Sequence, residues 1–265
     1  MQRKTLLGAA VFAVCFLMIY AASFFGTFVY STFSNLFEKR FVGLANYAEV
    51  FRNRYFRLAF GNTARITLLT VGSSLLLAFP VSCLLAVFPQ YLGKAMCFLI
   101  LPLMIPSGAI IPLWRDLWQV NTFSTPLRSM LSLVTLYCWK YTGTAAVILA
   151  VGMTGIPHET IEAAALDGAG KIAIYRRICL PQITRHILFA LVFLLMFSFR
   201  LYKENYLLFG DYPDESLYMI QHYMNNHFLK LSFQNTATAA ATLACGMLIP
   251  GTACLVYLRR RRQQL

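Results

Sequence analysis

The sequence predicts an all-α protein that crosses a membrane about six times. Hydrophobic residues make up 58% of the 265 residues and charged residues only 12%, which is more apolar surface than a soluble domain of this size buries. A helix crosses the hydrocarbon core with about 20 mostly apolar residues. Runs without Asp, Glu, Lys or Arg, most of them near that length, occupy residues 5–37, 66–93, 95–114, 141–157, 187–199 and 231–258.

The first apolar run predicts a membrane helix over residues 6–33. The pair Arg3-Lys4 in front of it resembles the start of a signal peptide. The run is longer than the hydrophobic region of a signal peptide, however, so a retained helix is favoured.

An amphipathic segment at residues 41–62 is predicted to lie flat at the membrane interface. Its aromatic and aliphatic residues share one helical face, and its arginines lie elsewhere. Asn46 and Glu49 have the spacing of a capping box, and Gly61-Asn62 is expected to end the helix. The alternative is a solvated loop, which would leave the aromatic side chains without a partner.

The next two predicted spans cover residues 64–88 and 96–114. The second of these contains Pro102, Pro106 and Pro112, and each proline removes a backbone hydrogen bond. Because freed carbonyls in lipid need other partners, we expect a distorted helix that faces protein or a cavity. A kink that serves only packing is the alternative.

The second half of the chain contains the remaining spans, and residues 1–265 form a single transmembrane domain in this prediction. Its order is a loop at residues 115–134, helix four at 135–155, helix five at 188–209, an interfacial helix at 218–228 and helix six at 237–257. Lys140 is expected near an end of helix four, with its side chain extended toward the headgroups.

The net charge of +13 is explained by basic residues that flank membrane helices. Nucleic acid is not an expected partner, because the sequence has no long basic stripe or stacking platform. Four spans precede the loop at residues 156–187 and two follow it, which places this loop and both termini on one side. The basic termini make that side cytoplasmic, although the totals of Lys and Arg favour neither side.

The loop at residues 156–187 has an unusually ordered sequence for a connection between membrane helices. Pro157 suits a helix start, and the alanines at 163–165 form helices well while letting another surface approach closely. Gly168 turns the chain, and a second basic helix is expected to end near Pro181. The pattern predicts two short, rigid helices that bind another protein. The alternative is a loop that has no binding partner.

Helix five carries polar residues that lipid disfavours. They are Arg200, Tyr202, Lys203, Glu204, Asn205 and Tyr206. Arg200 and Glu204 are four residues apart and are predicted to pair. Tyr202, Glu204, Asn205 and Tyr206 offer hydrogen bonds and ring stacking, which predicts a substrate pathway for a hydroxyl-rich solute. The alternative is an aromatic belt at the outer interface.

The sequence contains no motif for covalent chemistry. Residues 168–171 superficially resemble a phosphate-binding loop, but Ile172 replaces its Ser or Thr. The cysteines and histidines lack ligand spacing, so no metal site is expected. An ion-gradient-driven secondary transporter would need acidic residues buried at mid-membrane, which the more secure spans lack. That class and a polytopic membrane enzyme, which needs a catalytic constellation, are the alternative functions.

The loop resembles the signature of permease subunits of binding-protein-dependent ABC importers. That signature is Glu-Ala-Ala, three residues, Gly, nine residues and Ile-x-Leu-Pro, and every defining position matches between Glu162 and Pro181. The chain also resembles the sugar-permease branch of this family at five places, which are residues 155–157, 167–169, 41–47, 62–63 and 139–140. The 41–47 stretch is similar to the first permease of maltose and glycerol-phosphate systems. The family's Thr-Gly-Gly-Gly-Pro after helix five is replaced by Phe-Gly-Asp-Tyr-Pro at 209–213.

The resemblance implies a type I importer permease fold in which residues 156–187 are a cytoplasmic coupling loop. It assigns ATPase coupling to Glu162, Ala163, Ala164, Asp167, Gly168, Leu180 and Pro181, the last two anchoring the return of the loop. The implied mechanism is alternating access, in which a stiff loop converts ATPase closure into rocking of the membrane helices.

The resemblance also implies an assembly in the bacterial inner membrane, with lipid around the spans. The expected partners are a second permease, which makes a heterodimer, two ATP-binding cassette subunits and an extracytoplasmic solute-binding protein. Mg-ATP would bind the cassette subunits, so no cofactor is expected on this chain, which itself is not an enzyme. The implied cargo is a sugar, an oligosaccharide or a polyol derivative.

Overall fold

The computed structural model describes residues 2–34, 38, 40–120 and 125–262, and within these ranges the regular structure is helical apart from one β-bridge between Phe33 and Phe41. The helices are α1 (Gln2–Tyr30), α2 (Ala45–Arg52), α3 (Arg54–Val87), α4 (Leu92–Met104), α5 (Ser107–Trp118), α6 (Pro126–Thr154), α7 (His158–Leu166), α8 (Lys171–Ile174), α9 (Leu180–Gln182), α10 (Thr184–Arg200), α11 (Tyr202–Phe209), α12 (Ile220–Leu229) and α13 (Phe233–Arg262).

The all-α, multi-span prediction is confirmed. In the described ranges, five stretches are long and apolar enough to cross a membrane, and a bent pair of helices makes a sixth if it is counted as one span. The five are Ala10–Tyr30, Arg54–Val87, Pro126–Thr154, Thr184–Phe209 and Phe233–Ala253. The helix predicted near residues 218–228 is also present, as α12.

The bent pair, α4 and α5, replaces the distorted third helix that the prolines predicted. The two halves meet at 87°. The break lies at Ile105, whose backbone is extended, because a residue before proline is pushed out of the helical region by Pro106. Such a break leaves backbone groups that must be satisfied inside the protein.

The predicted loop over residues 115–134 is wrong at both of its ends. α5 continues to Trp118, and α6 already begins at Pro126. The hydroxyl of Thr125 accepts a hydrogen bond from the N–H of Arg128 at 3.3 Å, and Pro126 occupies the first turn, where its missing N–H costs nothing. The Thr-Pro pair is a sequence signal that could have predicted this helix start.

One compact unit consists of the residues up to Phe60 together with Met219–Pro250. Within it, the amide of Asn46 donates to the carbonyls of Ser31 at 2.8 Å and Phe33 at 2.7 Å. The predicted capping box is therefore wrong: α2 begins after Leu44, which gives no side-chain cap. The Asn46 side chain instead ties α2 to the end of α1.

The amphipathic segment of this unit is divided at Asn53. The Asn53 side chain accepts hydrogen bonds from the N–H groups of Tyr55 and Phe56 at 2.9 and 3.4 Å and starts α3. The predicted helix end at Asn62 is wrong, because α3 continues through that position. Phe56 is fully buried with its ring edge-on to Tyr223, 5.4 Å between centroids, so part of the aromatic face packs within the protein.

The other compact unit consists of Gly61–Tyr218 and the residues from Gly251 onward. Its central element is α6, which packs against α4 and α10. The hydroxyl of Tyr137 donates to the carbonyl of Leu194 on α10. At Gly143, a Cβ atom would collide with the carbonyl of Leu99, so this glycine permits the close approach of α4 to α6.

Candidate functional site

The motif loop, residues 156–187, begins with α7 and ends that helix in a glycine turn. Gly168 has a φ of +81°, a conformation that favours glycine. Its N–H donates to the carbonyl of Ala165 at 3.1 Å, and the N–H of Ala169 donates to Ala164 at 3.0 Å. These two bonds form a Schellman motif, so the spacing from the alanines to Gly168 specifies a defined helix end.

The second half of the loop is a nearly continuous helical path into α10. The prediction that Pro181 ends a helix is wrong, because Pro181 lies in the first turn of α9. A π turn at Tyr175–Cys179 comes directly before it, and its wider backbone accommodates the crowding that a proline causes in a helix. The Thr184 hydroxyl donates to the carbonyl of Pro181 at 2.8 Å and continues the path.

The inner face of the motif loop packs on the ends of α3 and α6. The buried residues beneath it are Met153, Ile156, Ile174, Cys179 and Ile183. Ala164 and Leu180 pack against this cluster from the loop, and Phe79 packs against it from α3. Because packed side chains resist deformation, the motif loop is held firmly against these two spanning helices.

The outer face of the motif loop is open to solvent. The predicted coupling residues on this face are Glu162, Ala163, Asp167 and Gly168. Leu166 and Ile172 are also exposed there, at 88% and 84%, and sequence reasoning did not single them out. The sequence feature that could have identified Leu166 is its position directly after three alanines. The predicted set therefore divides into an outward group and an inward group, Ala164 and Leu180, with Pro181 half-buried.

An apolar cavity of about 330 Å³ lies between the motif loop and the ends of α3 and α6. Cys179 and Tyr175 line it. Burial raises the pKa of the Cys179 thiol and of the Tyr175 hydroxyl, so both groups remain neutral at physiological pH. The Cys179 thiol is therefore less reactive than a free cysteine, because the thiolate is the nucleophilic form.

A second site is a buried polar network among the spanning helices. Glu204 on α11 accepts hydrogen bonds from Lys140 at 2.9 Å and from Ser107 at 2.7 Å. Lys140 also contacts the Ser107 hydroxyl at 3.0 Å, and all three residues are almost fully buried. Ser107 is the first residue of α5, so the network joins α6 and α11 to the break of the third span.

This network corrects two predictions. Lys140 does not extend from a helix end: it lies midway along α6 and is 4% exposed. Glu204 pairs with Lys140 rather than Arg200, because the guanidinium of Arg200 lies over the ring of Phe197, 5.4 Å from its centroid. A pairing across helices is invisible to a rule that considers only positions four apart on one helix.

A cavity of about 580 Å³ lies beside the network, within the range of small-molecule sites. Tyr202 and Glu204 line it, together with Lys140, Arg200 and Lys203. In the described ranges, no group of three or more His, Cys, Asp or Glu residues has the arrangement of a metal site. The chemistry available in the cavity is hydrogen bonding, ionic contact and aromatic stacking.

The other two predicted pathway residues, Asn205 and Tyr206, are not among the residues that line this cavity. Asn205 is fully buried, and its amide donates to the carbonyl of Leu217 at 2.8 Å. Asn62 performs the same task nearby, donating to the carbonyls of Glu215 and Tyr218 at 2.6 and 3.0 Å. Tyr206 is exposed and tilts against Tyr202, 5.8 Å between centroids. Asn205 therefore holds the turn at Glu215–Leu217.

Comparison with known sequences identifies a family whose model matches residues 79–261, the binding-protein-dependent transport system inner membrane component. Among curated relatives, the sulfoquinovosyl glycerol permease SmoG of Agrobacterium fabrum is 26% identical over 96% of this chain and 88% of its own length. The probable permease YurN of Bacillus subtilis is 26% identical over 86% of this chain and 85% of its own. The trehalose/maltose permease MalF of Thermococcus litoralis is 24% identical over 66% and 65%.

The same overall fold is found in a solved bacterial ABC transporter that imports the acidic polysaccharide alginate. A chain of that transporter superposes with a TM-score of 0.74 and 21% identity, over 98% of this chain and 96% of the other. A structure of the alginate transporter with its alginate pentasaccharide-bound periplasmic protein superposes with a TM-score of 0.72 over the same shares.

Proposed function

Because this chain belongs to the family of binding-protein-dependent transport system inner membrane components, we propose that it works as the permease subunit of an ATP-driven importer. The observation that carries the proposal is the motif loop, which matches the family signature and presents a stiff, exposed face on two spanning helices. The transport subunit is not an enzyme, and a separate subunit hydrolyses ATP.

The outer face of the motif loop is the docking surface for the ATPase. Glu162, Ala163, Asp167 and Gly168 contact the ATPase, and the exposed Leu166 fills an apolar recess on it. An exposed leucine in a small-residue helix is typical of such an anchor. The inward residues have another role: Ala164 and Leu180 transmit movement to α3 and α6, and Pro181 holds the return of the loop.

The substrate is a sugar, an oligosaccharide or a polyol derivative. Relatives are named for sulfoquinovosyl glycerol, trehalose and maltose, and glucose, and the structural relative imports alginate. These names include both neutral and acidic compounds, so they support the carbohydrate class without choosing a charge. Tyr202 and Glu204 line the large cavity on the solute pathway, where Tyr202 offers a hydroxyl and a ring face to the solute and Glu204 holds Lys140 in place.

The working assembly contains this chain, a second permease, two ATP-binding cassette subunits and an extracytoplasmic solute-binding protein. The solved complex of the alginate transporter with its periplasmic protein supports the last of these. The motif loop and both termini face the cytoplasm, where the ATPases carry Mg-ATP. The cavity opens alternately to the two sides as the motif loop moves with ATPase closure.

The test is uptake by the reconstituted complex. The chain is co-purified with its ATPase and placed in liposomes with its binding protein, and radiolabelled maltose, maltotriose and glucuronate are supplied with ATP. We expect solute-dependent ATP hydrolysis, and uptake that persists after ion gradients are dissipated with ionophores. Glu162→Lys should abolish both while membrane insertion is retained.

An ion-gradient-driven transporter gives the opposite result, and a buried carboxylate such as Glu204 is also a group that such a transporter uses. Uptake by the purified chain alone, driven by a proton or sodium gradient, would therefore refute the importer. Turnover of a solute into a new compound would instead indicate a membrane enzyme.

A further inference from the structure

The cavity beside the buried network carries an unbalanced positive charge. Its lining includes the three cations Lys140, Arg200 and Lys203, and Glu204 is the one acidic residue among the lining residues that the structure describes. The rest of the lining is mainly apolar or aromatic, with Tyr141 and Tyr202 from α6 and α11. The chemistry of the cavity is therefore cationic and aromatic together.

The one carboxylate in the described lining of the cavity, that of Glu204, already has a cationic partner. Glu204 lies 2.9 Å from the ammonium of Lys140, and the two side chains are almost fully buried against each other. Arg200 and Lys203 have no ion pair of this kind in the described part of the chain, and both are exposed toward the cavity. Arg200 rests on the Phe197 ring, which orients its guanidinium without neutralising its charge.

Arg200 and Lys203 are cations without a counter-ion among the described residues, and such charges are costly inside a membrane span. Lys140 lies midway along the candidate membrane span Pro126–Thr154, and Arg200 and Lys203 lie within the candidate span Thr184–Phe209. A charged group within a membrane span is energetically costly and is normally paired or functional. An anionic occupant of the cavity would offset that cost.

We infer that the solute carries an acidic group, and that Arg200 and Lys203 recognise it. This rests on the proposed function, and it narrows the substrate class to sugars with a carboxylate, sulfonate or phosphate. Arg200 offers two parallel N–H donors that match such an oxyanion, and Lys203 adds a point charge. Tyr202 and Tyr141 supply ring faces for the sugar. Lys140 is held by Glu204 and remains outside this contact.

The experiment compares matched neutral and acidic sugars in the reconstituted complex with its solute-binding protein. The pairs are glucose and glucuronate, galactose and galacturonate, maltotriose and trigalacturonate, and glycerol and glycerol 3-phosphate. ATP-dependent uptake and stimulated ATP hydrolysis are measured for each. The inference predicts that at least one acidic member is taken up about tenfold faster or more than its neutral partner.

A second arm assigns the selectivity to this chain rather than to the binding protein. Arg200→Gln and Lys203→Gln should each lower uptake of the acidic probe about tenfold or more at saturating binding protein. Lys94→Gln is the matched control, because Lys94 is an exposed cation on α4 that does not line the cavity. It should leave uptake at the level of the unmodified chain.

Each other outcome contradicts the inference. Uptake restricted to neutral sugars refutes an acidic cargo. Uptake of an acidic sugar that neither Arg200→Gln nor Lys203→Gln reduces shows that the binding protein alone selects charge. If no probe is taken up and none stimulates ATP hydrolysis, the proposed function fails and the acidic cargo fails with it; ATP-driven uptake of neutral sugars alone removes only the inference.

Discussion

At the residue scale, the contact between Lys140 and Glu204 is the feature that most changes the account of the membrane region. The sequence alone predicts that Lys140 lies near a helix end and that Glu204 pairs with Arg200. The structure instead joins Lys140, Glu204 and Ser107 at the break between α4 and α5. Buried ion pairs are weak evidence for stability but leave a large penalty when one partner is removed.

Replacing Glu204 with Gln should therefore destabilise the chain by about 3–5 kcal/mol, because the Lys140 ammonium would be buried without a counter-charge. The double substitution Lys140→Met with Glu204→Met should recover most of that loss, since it buries no charge. Thermal unfolding of the purified protein in detergent measures both. A double variant that unfolds at or below the temperature of the single variant would show that the pair is not coupled.

The residues that sequence reasoning placed correctly are those governed by local rules. Gly168 was expected to turn the chain, and the +81° φ and the Schellman bonds explain why. The capping box predicted at Asn46 is wrong because its amide bonds to the carbonyl of Ser31, and the amide of Asn205 likewise bonds to the carbonyl of Leu217. Such contacts depend on which helices become neighbours, and no local spacing encodes that.

At the element scale, the apolar runs predict the spanning helices but not the residues at which these helices begin and end. Hydropathy located the third span but not its 87° break or the extension of α5 to Trp118. The break results from Pro106 acting on Ile105, which made a distortion predictable from sequence although its angle depends on packing. The early start of α6 came from Thr125-Pro126, a cap that an apolar count overlooks.

The close contact of α4 with α6 predicts a large effect from a single methyl group. In Gly143→Ala, the new Cβ would collide with the Leu99 carbonyl, and separating the helices should cost about 1–3 kcal/mol or more. Gly93→Ala is the control, because nothing lies within 4 Å of its Cβ position and alanine favours a helix. Thermal unfolding in detergent should fall only for the first; equal midpoints would refute the close packing.

The glycine turn that ends α7 predicts that a substitution there impairs coupling to the ATPase and leaves the fold intact. Gly168→Ala forces a side chain into a left-handed conformation at a cost of about 1–2 kcal/mol, although its Cβ meets no neighbour. We expect normal insertion and assembly with reduced solute-stimulated ATP hydrolysis. Gly170→Ala, which has no positive φ and no close neighbour, should retain activity. If both variants behave alike, the turn geometry is not what the ATPase requires.

At the scale of the whole molecule, the motif loop and the large cavity lie within one compact unit, Gly61–Tyr218 and the residues from Gly251 onward. The motif loop packs on the ends of α3 and α6, and α6 also carries Lys140 beside the large cavity. One helix thus contributes residues both to the packing beneath the motif loop and to the lining of the cavity. Under the proposed function, movement of α6 would couple ATP hydrolysis to solute transport.

The central claim, that the outer face of the motif loop is gripped by an ATPase, is tested most directly by site-specific photo-crosslinking. A photoreactive amino acid replaces Leu166, which is 88% exposed on the loop, or Leu68, which is 75% exposed on the spanning helix α3. In the assembled, transport-active complex, the account predicts a crosslink from position 166 to the ATPase subunit and none from position 68. An active complex in which position 166 forms no crosslink to the ATPase would contradict it.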